Sequence, residues 1–360
     1  MSEPRAAAPS DPVRGGAPGS APAALSVLDL ANVGVGHTSA DALRASVRIA
    51  RLAERRGFTR YWVAEHHSMP GVASSSPAVI LAYLAAHTER IRLGSGGVML
   101  PNHAPLVIAE QFGTLEALAP GRVDLGLGRA PGTDGATAAA LRRTERLREG
   151  AEDFPRQLTE LVHFLDDSFP AGHRYARIHA VPGPVQGGEG SRPPVWLLGS
   201  SGFSAQLAGQ LGLPFAFANH FAPAHTLPAL ELYREAFRPS ALLDAPYAMV
   251  GVAAIATDDE REAHAQVLSG ALAMLRLRRG DAGLVPTPEE AEKYAFSEAE
   301  REFVRGWTRN VVYGGAEEVR AGLDALAQRT GAQELMITGN VHTPDIRVRS
   351  YELIADAYGS

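Results

Sequence analysis

The sequence predicts a (β/α)8 barrel with insertions after strands four and seven. Three observations carry that expectation. Short apolar runs alternate with helical patterns from residue 25 to the C-terminus, which argues a parallel sheet covered by helices. About eight strand-then-helix units occupy roughly 330 residues, a length that suits a barrel with insertions. Polar and glycine residues gather at the same end of nearly every unit, where a barrel places its chemistry. A doubly wound open sheet is the structural alternative.

The elements follow in order. Leu25–Leu30 is the first apolar run, and Ala31–Ser39 the loop after it. Asp41 to Gly57 reads as a helix, with Leu43, Val47, Ala50 and Ala53 at helical spacing and Gly57 as the stop. Tyr61–Ala64 is the second strand and Pro77–Thr88 its helix. Ile91–Leu100 and Leu106–Leu118 form the third pair. Arg122–Gly128 is strand four, followed by a Gly- and Thr-containing insertion, Ala130–Thr144, and a helix near Phe154–Leu165. Pro194–Leu198 with Ser204–Leu211, Phe215–Ala218 with Leu227–Phe237, and Met249–Ala256 with Asp259–Leu275 continue the alternation. Ala316–Ala327 is a further helix before strand eight, Leu335–Thr338, and Ile346–Ala357 closes the chain. The longest irregular stretch, Arg276–Gly306, is polar and holds Pro286 and Pro288. A long loop in a compact domain is usually functional or disordered, so a mobile lid is expected there. Residues 1–24 are rich in Ala, Pro, Gly and Ser and short of large apolar side chains. They are expected to be a disordered tail, leaving 25–360 as one domain.

Composition narrows the function. The chain has 360 residues, 34 Lys+Arg, 40 Asp+Glu, a net charge of −6 and no cysteine. That removes disulfides, thiolate metal sites and a cysteine nucleophile. A mildly acidic chain is a poor general nucleic-acid binder. No stretch is long and apolar enough to span a bilayer, so a cytoplasmic enzyme is expected. Lys293 is the sole lysine. Arginine has replaced the rest, a bias that says nothing about mechanism.

The strand ends supply candidate residues without further assumption. They are Glu65-His66-His67, the run Gly96-Gly97-Val98-Met99-Leu100-Pro101-Asn102-His103, Gly128-Arg129, Leu198-Gly199-Ser200-Ser201-Gly202, Asn219-His220 and Gly339-Asn340. The Leu198–Gly202 turn enters a helix N-terminus. Small residues there let backbone N–H groups approach a phosphate, and the two serines add hydroxyls. A tight turn with a serine cap is the plainer reading. Arg129, on the neighbouring strand, offers a planar fork for phosphate oxygens; a rim salt bridge is its plainer role. Adjacent residues at a strand end point to opposite sides, so one of His66 and His67 faces the site, as acid/base or hydrogen-bond donor. A structural pair of histidines fits the sequence almost as well. Metal binding by His66, His67 and His103 is a minor option, since the spacing is not that of a helical zinc motif. Two GxG runs, Gly34–Gly36 and Gly126–Gly128, lack the third glycine and acidic partner of a dinucleotide fold.

With these residues placed, the sequence resembles the luciferase-like flavin-dependent monooxygenases, closest to an actinobacterial and proteobacterial subgroup of antibiotic-tailoring or unassigned role. The blocks that carry the likeness are Tyr61–His67, Arg90–Leu106, Ala109–Thr133 and Pro193–Phe221. The resemblance implies a homodimeric barrel that takes reduced FMN from a separate flavin reductase. Dioxygen then forms a C4a-peroxyflavin that oxygenates an organic substrate. It implies His66 as the catalytic histidine and Arg129 as the phosphate-binding arginine. It further implies Gly96 and Gly97 beneath the flavin ring, joined by a cis peptide, and Leu198, Gly199, Ser200, Ser201, Gly202 and Phe203 around the phosphate. No metal is implied. Three departures stand out: Gly199 replaces a glutamate of the luciferase phosphate turn, Gly128 replaces its reactive cysteine, and Pro131 removes a backbone donor. The N–H lost at Pro131 makes modest phosphate affinity, suited to exchange with a reductase, the expectation. Deazaflavin F420-dependent hydride transfer and flavin binding without turnover are the alternatives. The substrate pocket is expected from the loops Ala31–Ser39, Ser68–Ser76, Ala130–Thr144 and the lid, with small or mildly apolar residues including Val33, Val35, Met69, Val72 and Phe221, which suits an apolar compound such as an aromatic polyketide or a long-chain aldehyde.

Overall fold

The computed structural model describes residues 13–130, 134–141, 153–186 and 192–359. Its strands are β1 (Ala24–Asp29), β2 (Arg60–Val63), β3 (Arg92–Ser95), β4 (Val98–Met99), β5 (Val123–Gly128), β6 (Val195–Gly199), β7 (Phe215–Phe217), β8 (Ala248–Ala256), β9 (Val311–Gly314) and β10 (Glu334–Thr338). Eight of them, β1, β2, β3, β5, β6, β7, β8 and β10, close a parallel barrel, with β10 paired to both β8 and β1. β4 resumes the third strand after the Gly96–Gly97 break and pairs with β5, while β9 joins the outer half of β8. The helices are α1 (Ser39–Arg55), α2 (Pro77–Ala85), α3 (Pro105–Leu118), α4 (Gly135–Ala140), α5 (Phe154–Asp166), α6 (Gly202–Gln210), α7 (Thr226–Ala236), α8 (Glu260–Arg278), α9 (Pro288–Lys293), α10 (Glu298–Thr308), α11 (Ala316–Thr330) and α12 (Pro344–Ala357).

Local chemistry starts several helices. Thr38 and Asp41 form a capping box at α1, and hydrogen bonds from Thr38 hold the Asp41 carboxyl down at about 2. Proline opens α2, α3, α9 and α12, where its missing N–H removes no helical bond. Strand alternation sorts the core. Leu25 and Val27 pack outward against the helices, while Leu28 joins Trp62, Trp196, Met249 and Met336 in a second cluster inside the barrel. Trp62 and Trp196 meet edge to face at 5.1 Å. Gly94 makes room for them, since a Cβ there would lie 2.5 Å from Trp62 Nε1.

Below the tryptophans the barrel is filled by paired charge. Arg60 is fully buried and bonds Asp124 at 2.8 Å and Glu334 at 2.8 Å. Burial opposes its charge, but these two carboxylates outweigh burial and keep the guanidinium protonated. The same residue corrects the expected tail. Arg60 donates to the Val13 carbonyl, Gly15 N–H to Tyr247 Oη at 3.2 Å and Thr59 Oγ1 to Gly16 O at 3.2 Å. Residues 13–23 are thus fastened across the N-terminal end of the barrel, and Val13 is buried. Polar partners from the strands hold this segment, in place of the large side chains it lacks. Residues 1–12 of the expected tail lie outside the described residues.

Two further expectations change. Arg276–Gly306 is not an irregular loop: α8 runs to Arg278, and α9 and α10 follow, each capped by a side chain, Thr287 and Ser297. They pack on α8, where Leu272, Leu275 and Ala291 are buried beside Tyr294, Phe296 and Phe303. The insertion after strand four contains α4, capped by Asp134; residues 131–133 and 142–152 lie outside the described residues.

Candidate functional site

The C-terminal mouth of the barrel holds a cavity of ≈ 290 Å³. Its floor is Leu28, Trp62, Met249 and Met336. Among the residues the sequence singled out, His66, Gly96, Gly97, Arg129, Leu198, Gly199, Ser200 and Ser201 line it together. Gly202 and Phe203 stand just behind, in the first turn of α6.

One end of the cavity is cationic and rich in donors. β6 delivers Gly199, Ser200 and Ser201 directly into α6. Gly199 permits the tight passage, because a Cβ would lie 2.7 Å from Ser204 Cβ. Ser201 is the N-cap, yet its side chain makes no capping hydrogen bond, so the first N–H groups of α6 face the mouth uncapped. The Arg129 guanidinium lies 4.3 Å from the centre of the Phe203 ring, and no carboxylate among the described residues pairs with it. The rim salt bridge is therefore not its role there. Pro131 lies outside the described residues.

The other end is narrow and apolar. The Gly96–Gly97 peptide is cis. A Cβ on Gly96 would lie 2.5 Å from Leu28 Cδ1, and one on Gly97 2.8 Å from Gly126 O. A Cβ on Gly128 would lie 2.9 Å from Met99 Sδ. These glycines keep the wall beside the third and fourth strands flat.

The paired histidines separate as pleating requires. His66 lines the cavity. His67 turns to Glu65, whose Oε1 it meets at 3.0 Å, and His103 meets the same oxygen at 2.8 Å. Met99 N–H donates to the other oxygen at 3.2 Å. Burial pushes the Glu65 carboxyl up, but hydrogen bonds from His103, His67 and the Met99 N–H hold it below the usual range. His67 and His103 thus brace the loops behind the site, and among the described residues no cluster of three or more His, Asp or Glu is arranged to hold a metal.

Several lining residues were given no role from the sequence. His220, at the end of the sixth barrel strand, lines the cavity, and its Nδ1 is buried without a hydrogen-bond partner. Burial, with a smaller contribution from the nearby His66, lowers the ring to about 4, although the Gly251 carbonyl pulls it upward. It is a neutral imidazole at neutral pH. Its place at a strand end was visible; its burial was not. Asn32 and Asn340 also line the wall and share a 3.1 Å hydrogen bond. Met274 of α8 and Trp307 of α10 reach in from above. Of the loop residues expected to form the pocket, Phe221 lines it, whereas Val33, Val35, Met69 and Val72 do not.

Comparison with known proteins places this geometry in context. The family model for luciferase-like monooxygenase matches residues 24–334. A luciferase-like monooxygenase of Escherichia coli (strain K12) is 48% identical over 92% of this chain and 96% of its own length. N-acetyl-S-alkylcysteine monooxygenase of Bacillus subtilis (strain 168) is 36% identical over 92% of this chain and 97% of its own. The crystal structure of apo-MsnO8 superposes with a TM-score of 0.82 at 37% identity, covering 94% of this chain and 98% of that one. More distant barrels share the fold alone. They include the oxygenating constituent of 3,6-diketocamphane monooxygenase in complex with FMN, at 18% identity and a TM-score of 0.67. An F420-dependent secondary alcohol dehydrogenase follows at 15% and 0.66.

Proposed function

The chain belongs to the luciferase-like monooxygenase family and is a monooxygenase, and on that premise we propose that it works with reduced FMN and dioxygen on an apolar organic substrate. One observation carries the reading: a single cavity joins an anion-binding end to a flat, apolar end. Arg129, Ser200, Ser201 and the uncapped N-terminus of α6 suit a phosphate. The glycine wall and the apolar floor suit a flat ring and an apolar partner.

The residues fit the flavin, and each takes a role toward it. Arg129, steadied by Phe203, would hold the phosphate with Ser200, Ser201 and the N–H groups at Gly202. Gly96 and Gly97 would seat the ring, while Leu198 and Gly199 would let the backbone of the phosphate turn come close. When bound, reduced FMN supplies the electrons that activate dioxygen. His66 would hold or move a proton at its ring nitrogen on the cavity side. Trp307 and Met274, which line the cavity from above, would limit the entry of water once the flavin is bound. The substrate would rest on the apolar lining, with a polar group reaching Asn32, Asn340 or His220. A separate flavin reductase would supply the cofactor, and the enzyme would work in the cytoplasm. No helix among the described residues is long and apolar enough to cross a membrane. A homodimer would cover the adjoining α2 and α3, where Val79, Tyr83, Val107 and Leu118 are exposed.

Anaerobic titration of the protein with reduced FMN and with reduced F420, followed by admission of air, tests the proposal. Binding of reduced FMN and subsequent oxygen uptake are expected. A preference for F420 without oxygen uptake would replace it with the hydride-transfer reading. Peroxide release alone, with no substrate oxygenated across a panel of aldehydes, thioethers and polycyclic ketones, would point to flavin binding without turnover.

A further inference from the structure

The cavity gathers most of the sulfur in the protein. The chain has six methionines and no cysteine, and four of the six, Met99, Met249, Met274 and Met336, line this one cavity. Met249 and Met336 are buried in its floor, at 0% and 3% exposure. Met99 and Met274 are only half-buried. Met69, by contrast, sits in the loop after β2 and does not reach the cavity.

Met99 is the best placed of the four. It pairs with Gly128 in the β4–β5 register. Its backbone N–H is fixed by Glu65 at 3.2 Å. Its sulfur lies against the bare Cα of Gly128, where a Cβ would be 2.9 Å from Sδ and 3.1 Å from Cε. An absent side chain at 128 has thus brought a thioether to the wall between the glycine peptide and Arg129.

We propose that Met99 is an oxidative modification site addressed from inside the cavity. The oxidant is hydrogen peroxide formed there when the reaction runs without substrate, so the inference rests on the monooxygenase reading. The Met99 sulfur lone pair bonds to one peroxide oxygen, and the O–O bond breaks. The departing oxygen gains a proton from the attacking end and leaves as water. The sulfur is oxidised by two electrons, the peroxide is reduced by two, and the product is methionine sulfoxide. The change turns an apolar, flexible side chain into a polar one, at a place where its sulfur lies beside Gly128 on the cavity wall. Loss of flavin affinity follows, and Met99 becomes the point at which unproductive turnover shuts the site down. A reductase for methionine sulfoxide would restore it.

Two arms of one experiment test this, both read by peptide mass mapping of the full chain. In the first, the flavin-free protein receives a brief pulse of hydrogen peroxide. Met99 is expected to gain oxygen roughly tenfold faster than the buried Met249 and Met336, following exposure. Equal rates, or an unreacted Met99, overturn the proposal whether or not the flavin reading holds. In the second, the protein turns over reduced FMN in air without substrate, with catalase present to destroy peroxide that escapes. Met99 is expected to exceed the outlying Met69 by roughly fivefold; equal labelling overturns the inside route. Failure of the flavin reading shows separately, as absent FMN binding and no peroxide. Met99→Leu keeps the volume and removes the acceptor, so FMN affinity should survive peroxide treatment in that variant. A decline equal to that of the parent places the damage elsewhere and overturns the role of Met99.

Discussion

Replacing Arg129 by alanine tests the anion end directly. The guanidinium stacks 4.3 Å from the Phe203 ring centre and meets no carboxylate among the described residues. Its charge is therefore available to a ligand. A charge-assisted hydrogen bond contributes about 1.5–3 kcal/mol. The N-terminus of α6 keeps part of the attraction, about 0.3–1 kcal/mol for an exposed helix end. Arg129→Ala should therefore weaken FMN binding by roughly 10- to 150-fold at low salt. Riboflavin has the same ring without phosphate, and its affinity should change less than about fivefold, through packing alone. Arg129→Lys keeps the charge but loses the fork and much of the stacking, and should fall between the two. Fluorescence quenching of each flavin on titration with protein reads both constants. The FMN deficit should shrink as salt rises, because the mouth is open to solvent. Equal losses for FMN and riboflavin would refute the phosphate assignment, since the arginine would then be acting on the ring or on the fold.

Other positions give sharper local tests. His66→Ala should leave the melting temperature within a few degrees while cutting substrate oxygenation relative to oxygen uptake; full coupled turnover would remove His66 from the mechanism. His220 titrates at about 4 in the fold against roughly 6.5 unfolded. Its contribution is intact above that unfolded value and is lost as pH falls toward 4, by at most about 3 kcal/mol. Urea unfolding at pH 7 and pH 5 should therefore show a smaller acid loss for His220→Gln than for the parent. An identical loss would mean that the ring is not held neutral by burial. Glu65→Gln strips the charge that gathers His67, His103 and the Met99 N–H, and should cost about 2–4 kcal/mol in chemical denaturation; a neutral result would show those bonds to be incidental. Gly97→Ala meets the Gly126 backbone at 2.8 Å, whereas Gly96→Ala meets the mobile end of Leu28. The first should destabilise by about 1–3 kcal/mol more than the second, and the reverse order would contradict the wall geometry.

The barrel was legible because its strands and helices announce themselves locally, by apolar runs and by periodicity. What the sequence hid is what depends on distant partners. Val13 and Gly15 look like tail residues until Arg60, Tyr247 and Glu334 are brought beneath them, and nothing within twenty neighbours signals that meeting. The lid is different, because its signal was present. Thr287 and Glu290, and Ser297 and Glu300, have the spacing of helix caps, and two prolines drew attention away from them. Val311–Gly314 was overlooked for another reason: it is a short strand that pairs only with the part of β8 standing beyond the barrel. At the site, the strand-end rule picked out His66, Arg129 and the Ser200-Ser201 turn, which the fold brings to one cavity. It could not rank His66 above His220, since both are histidines at strand ends and only the fold shows that burial keeps one of them neutral.

The two ends of the barrel solve the same electrostatic problem differently. At the N-terminal end the protein supplies both signs itself: Arg60 is matched by Asp124 and Glu334, and Arg92 by Asp124. Arg347 behind the wall is matched by Asp29. Removing one partner there would leave a buried charge uncompensated, a cost of about 3–5 kcal/mol, so that end is committed to stability. The whole chain carries a net −6, yet at the mouth no carboxylate of the described residues pairs with Arg129 and no side chain caps the first turn of α6. Positive potential left unmatched on an acidic protein is tolerable only where solvent reaches it. It becomes useful only where a doubly charged anion replaces that solvent. The absence of a glutamate at Gly199 then acquires a physical meaning, for a carboxylate at that turn would neutralise Arg129 before a phosphate arrived. Installing one tests the point: Gly199→Gln adds the clash with Ser204 and the bulk of the longer side chain, whereas Gly199→Glu adds the same bulk and the charge. FMN affinity should fall further in the second than in the first, and riboflavin affinity should fall equally in both.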